Sequence, residues 1–191
     1  MCRASYEYYG NVMSVDSTYS INRHGLPFVS FVGVNHHGKS TLLGCALLGN
    51  EEIPSYEWIF SQWVKCMGTA PQRIITDQCR SIFYLYDDRR MWVPIYFNGE
   101  FWVAMRSTQR SESMHAFYGG FLYSRTSLVQ FVHEYDNVLG IKEQRKLEDD
   151  VADSKGVIPC ATSSPMERQF QQKYTTSMFR DAQTEFVKKT D

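Results

Sequence analysis

Short apolar stretches bounded by turn-forming residues dominate the first fifty positions of the chain. Asn11–Ile21 is rich in Val, Thr and Tyr, and Pro27–Val34 reads PFVSFVGV, so both predict strands. Thr41–Leu48 (TLLGCALL) predicts a third strand or a buried helix, and Asn35-His-His-Gly38 before it predicts a turn. Three consecutive strands joined by tight turns would form an antiparallel meander.

A helical pattern follows the strands. It begins near Ser55, and Gly68 is expected to end it. The residues that form its apolar stripe are Trp58, Ile59, Phe60, Trp63, Val64 and Met67. We expect Trp58 and Trp63 to pack in the core rather than to stack on nucleic-acid bases. Arg73–Asp77 predicts a short buried strand that ends in an acid, which gives the order β-β-β-α-β.

The middle of the chain has a less regular pattern. Ile82–Met91 mixes aromatic and charged residues without a clear period, and Asn98-Gly99 is a hairpin signal. Ser107 or Thr108 can cap a helix that the Gly119-Gly120 pair ends. A longer amphipathic helix is predicted to start at Thr126.

The last third of the chain is more polar. Lys142–Lys155 is charged and predicts a helix end followed by a linker. Ser164-Pro165-Met166-Glu167 fits a capping box that opens a C-terminal helix. These patterns predict a domain over residues 1–145 and a linker with a C-terminal helix over residues 146–191.

Composition narrows the class of protein. The 191 residues are 43% hydrophobic and 15% aromatic, which favours a folded domain over a disordered chain. The formal net charge is −1, whereas domains that bind DNA by themselves usually carry a basic excess. No apolar stretch is long enough to predict a membrane span. We therefore expect a globular protein that contacts nucleic acid through a local patch or a partner.

Cysteine and histidine spacing gives no framework for structural zinc. The five cysteines and five histidines include no Cys-x-x-Cys, Cys-x-x-His or His-x3-His pair. We expect reduced, buried thiols in an intracellular protein.

Three acids fall on elements that suit metal-dependent phosphodiester chemistry. Asp16 and Asp77 lie on predicted strands, and Glu112 lies on a predicted helix. Nucleases with this arrangement hold two Mg²⁺ or Mn²⁺ ions by carboxylates, one ion activating the attacking oxygen and the other stabilising the leaving oxygen. The spacing alone does not select these three, because the chain contains 21 acids and a strand-end Asp is often a simple cap.

Longer motifs select the same acids. Five segments resemble the Mutator-like (MULE) transposase domain of the plant far-red-impaired-response family. They are Asn11–Tyr19 with Asp16, Leu26–Leu48, Ile74–Gln78 with Asp77, Ser107–Met114 with Glu112, and Ile158–Phe170. The resemblance implies an α/β, RNase H-like core of the DDE transposase and integrase type, with Asp16, Asp77 and Glu112 as the acidic, metal-binding catalytic triad.

The chain departs from the family pattern after the second acid. In the family a helix, a strand, a Cys/His segment and a helical insertion follow that acid, whereas here Asp77–Ser81 runs almost directly into Ile82–Met91. We therefore expect an incomplete core and a vestigial triad in a protein that is not an enzyme. The family's N-terminal zinc-type DNA-binding domain and C-terminal SWIM zinc finger are also not expected here, so this chain would carry no zinc of its own.

The resemblance also implies a biological setting. It implies a nuclear plant protein that regulates transcription, with a link to light signalling. Contact with DNA is implied by the family, although no basic patch is visible in the sequence. Protein partners, including homodimers or heterodimers with full-length relatives, are the alternative route to DNA, and no membrane association is expected.

Three alternatives stay open at this point. The chain could be an active DDE transposase that uses Mg²⁺ or Mn²⁺, or a truncated product without an independent role. It could also bind nucleotides, because Gly33–Ser40 (GVNHHGKS) matches the phosphate-loop pattern. In that reading Lys39 would contact the β- and γ-phosphates, and Ser40 or Thr41 would bind Mg²⁺. The resembling family has a tight turn between two strands here, which weighs against a phosphate loop.

Overall fold

A computed structural model describes residues 2–18, 22–76, 114 and 116–188. The chain divides into two compact units, one of Met1–Val34 with Ser40–Leu139 and one of Asn35–Lys39 with Gly140–Asp191. The described elements are α1 (Cys2–Tyr9), β1 (Val12–Thr18), β2 (Phe28–Val34), β3 (Ser40–Leu47), α2 (Ile53–Met67), β4 (Arg73–Thr76), α3 (Leu128–Ser154), α4 (Pro165–Lys173) and α5 (Thr176–Lys188).

The first unit contains a four-stranded mixed sheet in the order β3-β2-β1-β4. Strands β1, β2 and β3 are antiparallel neighbours, which confirms the predicted meander and identifies the third segment as a strand. Strand β4 pairs with β1 in parallel, because α2 carries the chain back across the sheet before β4 begins. The chain is therefore an α/β protein in which β1 is a central strand.

One face of the sheet is covered by α1 and α2. Met13 and Val15 of β1 point to this face and pack with Tyr56, Ile59 and other buried residues of α2. Helix α2 ends at Gly68, whose φ of 84° is the left-handed conformation that glycine adopts most easily. Its end is as predicted.

The two tryptophans of α2 have different environments. Trp63 is buried and stacks on Phe31 with ring centroids 4.0 Å apart. Trp58 is 55% exposed, so the expectation that it packs in the core is wrong. The two lie five positions apart, which rotates Trp58 away from the buried stripe that Ile59 and Trp63 share.

The opposite face of the sheet supports a second cluster of buried side chains. Phe28 of β2 contacts Tyr118 and Phe131 edge-on, with ring centroids 5.0 and 5.5 Å apart. Tyr118 belongs to the helical residues 116–119, and Phe131 belongs to the first part of α3. Helical structure therefore covers this face as well, which gives the first unit its α/β/α layering.

The second unit differs from the predicted linker and single helix. The segment Lys142–Lys155 was predicted to be a helix end followed by a linker. Helix α3 continues to Ser154, so the helix end takes up nearly the whole segment and the linker part of the prediction is wrong. The Lys146–Asp150 ion pair, one turn apart, stabilises the charged second half of this helix. Two helices, α4 and α5, follow instead of one. The domain boundary after residue 145 stays a prediction.

The predicted capping box at the start of α4 is wrong in its hydrogen bonds. Pro165 begins the helix as predicted, but the Ser164 side chain caps no backbone group. The Glu167 carboxylate instead accepts hydrogen bonds from the N–H groups of Ala161 and Thr162, both at 2.7 Å. Glu167 is fully buried and ties the preceding loop to the helix, a structural role that the sequence pattern does not reveal.

Several predictions fall on other parts of the chain. Those for Ile82–Met91, for the Asn98-Gly99 hairpin and for a cap at Ser107 or Thr108 lie outside the described residues. Helix α1 was not predicted, and the expected burial of thiols is wrong for Cys66, which is exposed. Among the described residues, no helix combines the length and apolar character that crossing a bilayer requires.

Candidate functional site

Asp16, the first acid of the predicted triad, lies on β1 near the centre of the sheet. Its register partner on β2 is Ser30. The side chain is half-buried, and Oδ1 accepts a hydrogen bond of 2.9 Å from the N–H of Ser17. A carboxylate on a central strand is where the predicted metal chemistry needs its first ligand.

Strand alternation determines the face of the sheet on which Asp16 lies. Side chains of directly paired residues share a face, so Asp16 lies on the same face as Ser30. Phe28 and Val32, two positions before and after Ser30 on β2, lie on this face as well. Phe28 and Val32 belong to the cluster that also contains Met114. The described residue nearest in sequence to Glu112 therefore packs on the same sheet face as Asp16.

The two other acids of the predicted triad lie outside the described residues. Strand β4 is described up to Thr76, which pairs with Val15 beside Asp16, and Asp77 is the next residue in sequence. Glu112 precedes Met114 by two positions. The structure thus places Asp16, and the assembly of Asp16, Asp77 and Glu112 into one site stays a prediction.

A different acid, Glu51, lies close to β1 in space. Its Oε1 accepts a very short hydrogen bond from the Ser17 hydroxyl and one of 3.3 Å from the Tyr56 hydroxyl. Ser17 shares the α2 face of the sheet with Val15, opposite to Asp16. Glu51 therefore links β1 to α2 and is not a substitute member of an acidic site around Asp16.

A second constellation lies wholly within the second unit, where two adjacent histidines meet an aspartate of α3. The Nε2 atoms of His36 and His37 each lie 2.8 Å from the same Oδ1 atom of Asp150. The His37 side chain is fully buried, whereas the His36 side chain is 45% exposed. Spacing rules for zinc sites missed this cluster, because the aspartate lies more than a hundred residues after the histidines.

The Asp150 carboxylate is strongly held in its charged form. Hydrogen bonds from Lys146 and His37, opposed by partial burial and reinforced by His36, keep the pKa of Asp150 well below its usual range. Lys146 Nζ lies 2.9 Å from Oδ2, so the other oxygen, Oδ1, is the one that faces the histidines. The cluster therefore presents one charged oxygen and two imidazole nitrogens to a common point.

The phosphate-loop alternative is wrong. Such a loop joins a strand to a helix, whereas Ser40 begins β3. The residues between β2 and β3 form a tight turn, in which the Asn35 N–H donates to the Lys39 carbonyl at 3.0 Å. Lys39 itself pairs with Asp149, with Nζ 2.7 Å from Oδ2.

Sequence comparisons find a known domain that part of the first unit resembles. Residues 12–88 match the MULE transposase domain, and this segment includes Asp16, Asp77 and strands β1 to β4. This segment of the chain is therefore similar to a transposase domain.

Comparisons with individual proteins give the relatives to which the chain is similar. The chain is 26% identical to Protein FAR1-RELATED SEQUENCE 5 of Arabidopsis thaliana, over 95% of this chain and 33% of that protein. It is 25% identical to Protein FAR-RED IMPAIRED RESPONSE 1 of the same plant, over 97% of this chain and 31% of that protein. It is 42% identical to Protein FAR1-RELATED SEQUENCE 6, also of that plant, over 42% of this chain and 11% of that protein. Over most of its length the chain is similar to the far-red-impaired-response proteins, as its motifs predicted.

Two features of these comparisons bear on function. The chain spans about a third of the length of FAR1-RELATED SEQUENCE 5 and of FAR-RED IMPAIRED RESPONSE 1. The alignment with FAR1-RELATED SEQUENCE 5 runs over 257 positions, more than the 191 residues present here, so that relative has residues which this chain lacks within the aligned region. No solved structure matches the chain.

Proposed function

We propose that this chain is a transposase-derived protein of the far-red-impaired-response type that neither cuts nor joins DNA and that acts in the regulation of transcription. The core would be RNase H-like. The strand order β3-β2-β1-β4, with an antiparallel meander and β4 parallel to β1, supports this part of the proposal.

The proposal that catalysis is lost rests on one observation. This chain lacks residues that FAR1-RELATED SEQUENCE 5 has within an alignment that covers 95% of this chain. Two-metal catalysis needs its ligands held within about half an ångström of the productive geometry. Asp16, Asp77 and Glu112 come from separate elements, so their positions depend on the scaffold between them. A shortened scaffold therefore removes activity even though all three acids are present.

An active DDE transposase is the second candidate, and the position of Asp16 favours it. The carboxylate lies on a central strand and on the same sheet face as Met114. In that case Asp16, Asp77 and Glu112 would bind Mg²⁺ or Mn²⁺. Nicking of plasmid DNA that depends on the Asp16 carboxylate would favour this candidate over the inactive one.

The regulatory role would operate through partners in the nucleus. With a net charge of −1 the chain has no excess of positive charge to neutralise DNA phosphates. Homodimers, or heterodimers with full-length relatives, would bring it to DNA. The DNA-binding and SWIM zinc domains of those relatives would supply the contact with DNA.

A tethered reporter assay tests the regulatory role. The chain is fused to an unrelated DNA-binding domain, and transcription of a reporter is measured in plant cells against the DNA-binding domain alone. We expect reporter output to change with the fusion, and to return towards the control in a fusion that carries Gly44→Ala, which destabilises the core. Reporter output equal to the control at matched protein levels would overturn the regulatory role.

Binding to a relative is tested separately. The purified chain is mixed with full-length FAR1-RELATED SEQUENCE 5, and the complex is measured by analytical ultracentrifugation. We expect a complex with the relative, and no retention of DNA by the chain alone in a mobility-shift assay at physiological salt. Tight DNA binding by the chain alone would show that its charge distribution, and not a partner, provides the contact.

A further inference from the structure

We propose that His36, His37 and Asp150 bind a divalent transition-metal ion, with zinc as the reference ion and Asp153 as the residue that positions His37. All of these residues belong to the second unit. The site is independent of Asp16 and of the transposase chemistry.

The donor atoms have the right type and are close to the right distances. Two imidazole nitrogens and one carboxylate oxygen form a common three-residue zinc set, which leaves a fourth position for water or another ligand. Around a tetrahedral zinc, such donors lie about 3.3 Å from one another. The nitrogen–oxygen distances here are 2.8 Å, so the cluster needs to open by only about half an ångström.

The hydrogen bonding of His37 provides an independent argument. When Nε2 carries the proton and donates to Asp150, Nδ1 is a bare acceptor, and this buried atom has no hydrogen-bond partner. Another acceptor, Asp153 Oδ2, lies 3.6 Å from it. An ion bound at Nε2 moves the proton to Nδ1, which then donates to Asp153. Both ring nitrogens are then satisfied, whereas a neutral ring without an ion leaves Nδ1 unpaired.

The carboxylate that faces Nδ1 is held in place. Asp153 Oδ1 accepts a hydrogen bond of 2.7 Å from the N–H of Thr176, which leaves Oδ2 directed at His37. A carboxylate on the outer nitrogen of a metal-bound histidine fixes the ring and raises its basicity. Lys146 has the same orienting role on Asp150, because it occupies Oδ2 and leaves Oδ1 for the ion.

The turn before β3 presents both histidines in a fixed conformation. Asn35 Oδ1 accepts hydrogen bonds from the N–H groups of His37 and Lys39, at 3.1 and 3.0 Å. Gly38, with a φ of 73°, closes the turn in a conformation that other residues rarely adopt. The exposed side chain of His36 leaves a path for an ion to enter from solvent.

A protonated His37 that bridges Asp150 and Asp153 is the competing explanation for the same contacts, because a charged imidazole also satisfies both nitrogens. The two explanations differ in what they require. A metal site needs the His36 nitrogen as well, whereas the charged bridge needs only His37 and the two aspartates. Substitution at His36 therefore separates them.

The test is calorimetric titration of the 191-residue chain with Zn²⁺ after treatment with a chelator. We expect one zinc per chain, with affinity at least tenfold weaker in His36→Gln and in Asp150→Asn. His36→Gln is the main variant because the side chain is 45% exposed, so we expect the fold to tolerate its loss. His133→Gln, at an exposed histidine of α3, is the matched control and should bind as the unmodified chain does.

Spectroscopy and melting complete the test. X-ray absorption of the zinc-loaded chain should show only nitrogen and oxygen ligands, since sulfur would place the ion at Cys66 or another thiol and overturn the proposal. Zinc at about 100 times the Kd of the unmodified chain should raise its Tm by about 5 °C or more, and the same zinc concentration should raise the Tm of His36→Gln by about half as much or less. Equal affinity in all variants, or no zinc binding together with a pH-dependent Tm, would also overturn it and favour the protonated bridge.

Discussion

Trp63 of α2 lies directly on the backbone of Gly44 in β3, at a point where a Cβ on Gly44 would stand 2.6 Å from Cζ3 of the indole. A β-bulge creates this arrangement. Phe31 pairs with Gly44 and Val32 with Leu42, so Leu43 is an extra residue, and both Leu43 and Gly44 face α2. The indole fills the space that the missing side chain leaves, and it stacks there on Phe31.

Gly44→Ala is therefore expected to destabilise the first unit. The added methyl group meets a buried aromatic ring, so we expect a loss of about 1–3 kcal/mol in the free energy of unfolding. The measurement is thermal unfolding followed by tryptophan fluorescence. Gly49→Ala is the matched control, because a Cβ at Gly49 meets nothing within 4 Å, and its Tm should stay unchanged. Equal Tm values for the two variants would contradict the packing described here.

Loop hydrogen bonds before α4 lead to a second prediction, opposite to what the sequence pattern suggests. The Thr162 hydroxyl donates to Glu167 Oε2 at 2.5 Å and accepts from the Ser164 N–H at 3.2 Å, whereas the Ser164 hydroxyl caps nothing. Thr162→Val should cost about 1 kcal/mol of stability, and Ser164→Ala less than about 0.5 kcal/mol. Urea unfolding followed by circular dichroism measures both. A larger loss of stability in Ser164→Ala than in Thr162→Val would show that the Ser164 side chain caps α4, and would contradict this prediction.

The same carboxylate predicts an acid-sensitive second unit. Burial alone would raise the pKa of Glu167, but hydrogen bonds from Thr162, Gln183 and the Ala161 N–H lower it to about 2. In an unfolded chain the pKa of Glu is about 4.3. The charged form thus stabilises the fold fully above about pH 4.3, and this contribution is lost as the pH falls towards 2.

Far-UV circular dichroism across this pH range provides the measurement. The unmodified chain should lose helical signal or Tm as the pH falls from about 4.5 to about 2. Glu167→Gln should be less stable at neutral pH and should depend less on pH in that window. Glu143→Gln, at an exposed position of α3, is the control and should follow the unmodified chain. An unchanged pH profile in Glu167→Gln would show that other acids cause the acid sensitivity.

The sequence predicts the sheet of this protein well, because alternation and turn residues are local signals. The strands of the meander, the helix that ends at Gly68 and the short strand that begins at Arg73 all follow from such signals. The expectation for Trp58 failed because a helical stripe defines one face, and a tryptophan at its margin can lie outside the buried part.

Contacts beyond the local pattern explain the other failures. Glu167 has the spacing of a capping box, yet its carboxylate accepts hydrogen bonds from N–H groups five and six positions earlier in the loop. No local rule joins His37 to Asp150 across more than a hundred positions. For the acidic triad, motif resemblance selected the residues, and the structure places only Asp16 among them.

Plasmid nicking tests the central claim most directly. A cooperative thermal transition first shows that the unmodified chain and the Asp16→Asn variant are both folded. Supercoiled DNA is then incubated with Mn²⁺ in three reactions, which contain the unmodified chain, the variant or buffer alone. Asp16→Asn keeps the size of the side chain and removes the charge that would bind metal. If the protein has lost catalysis, the rate of nicking should be the same in all three reactions. Nicking by the unmodified chain that is abolished in Asp16→Asn would contradict it and show that the DDE site is active.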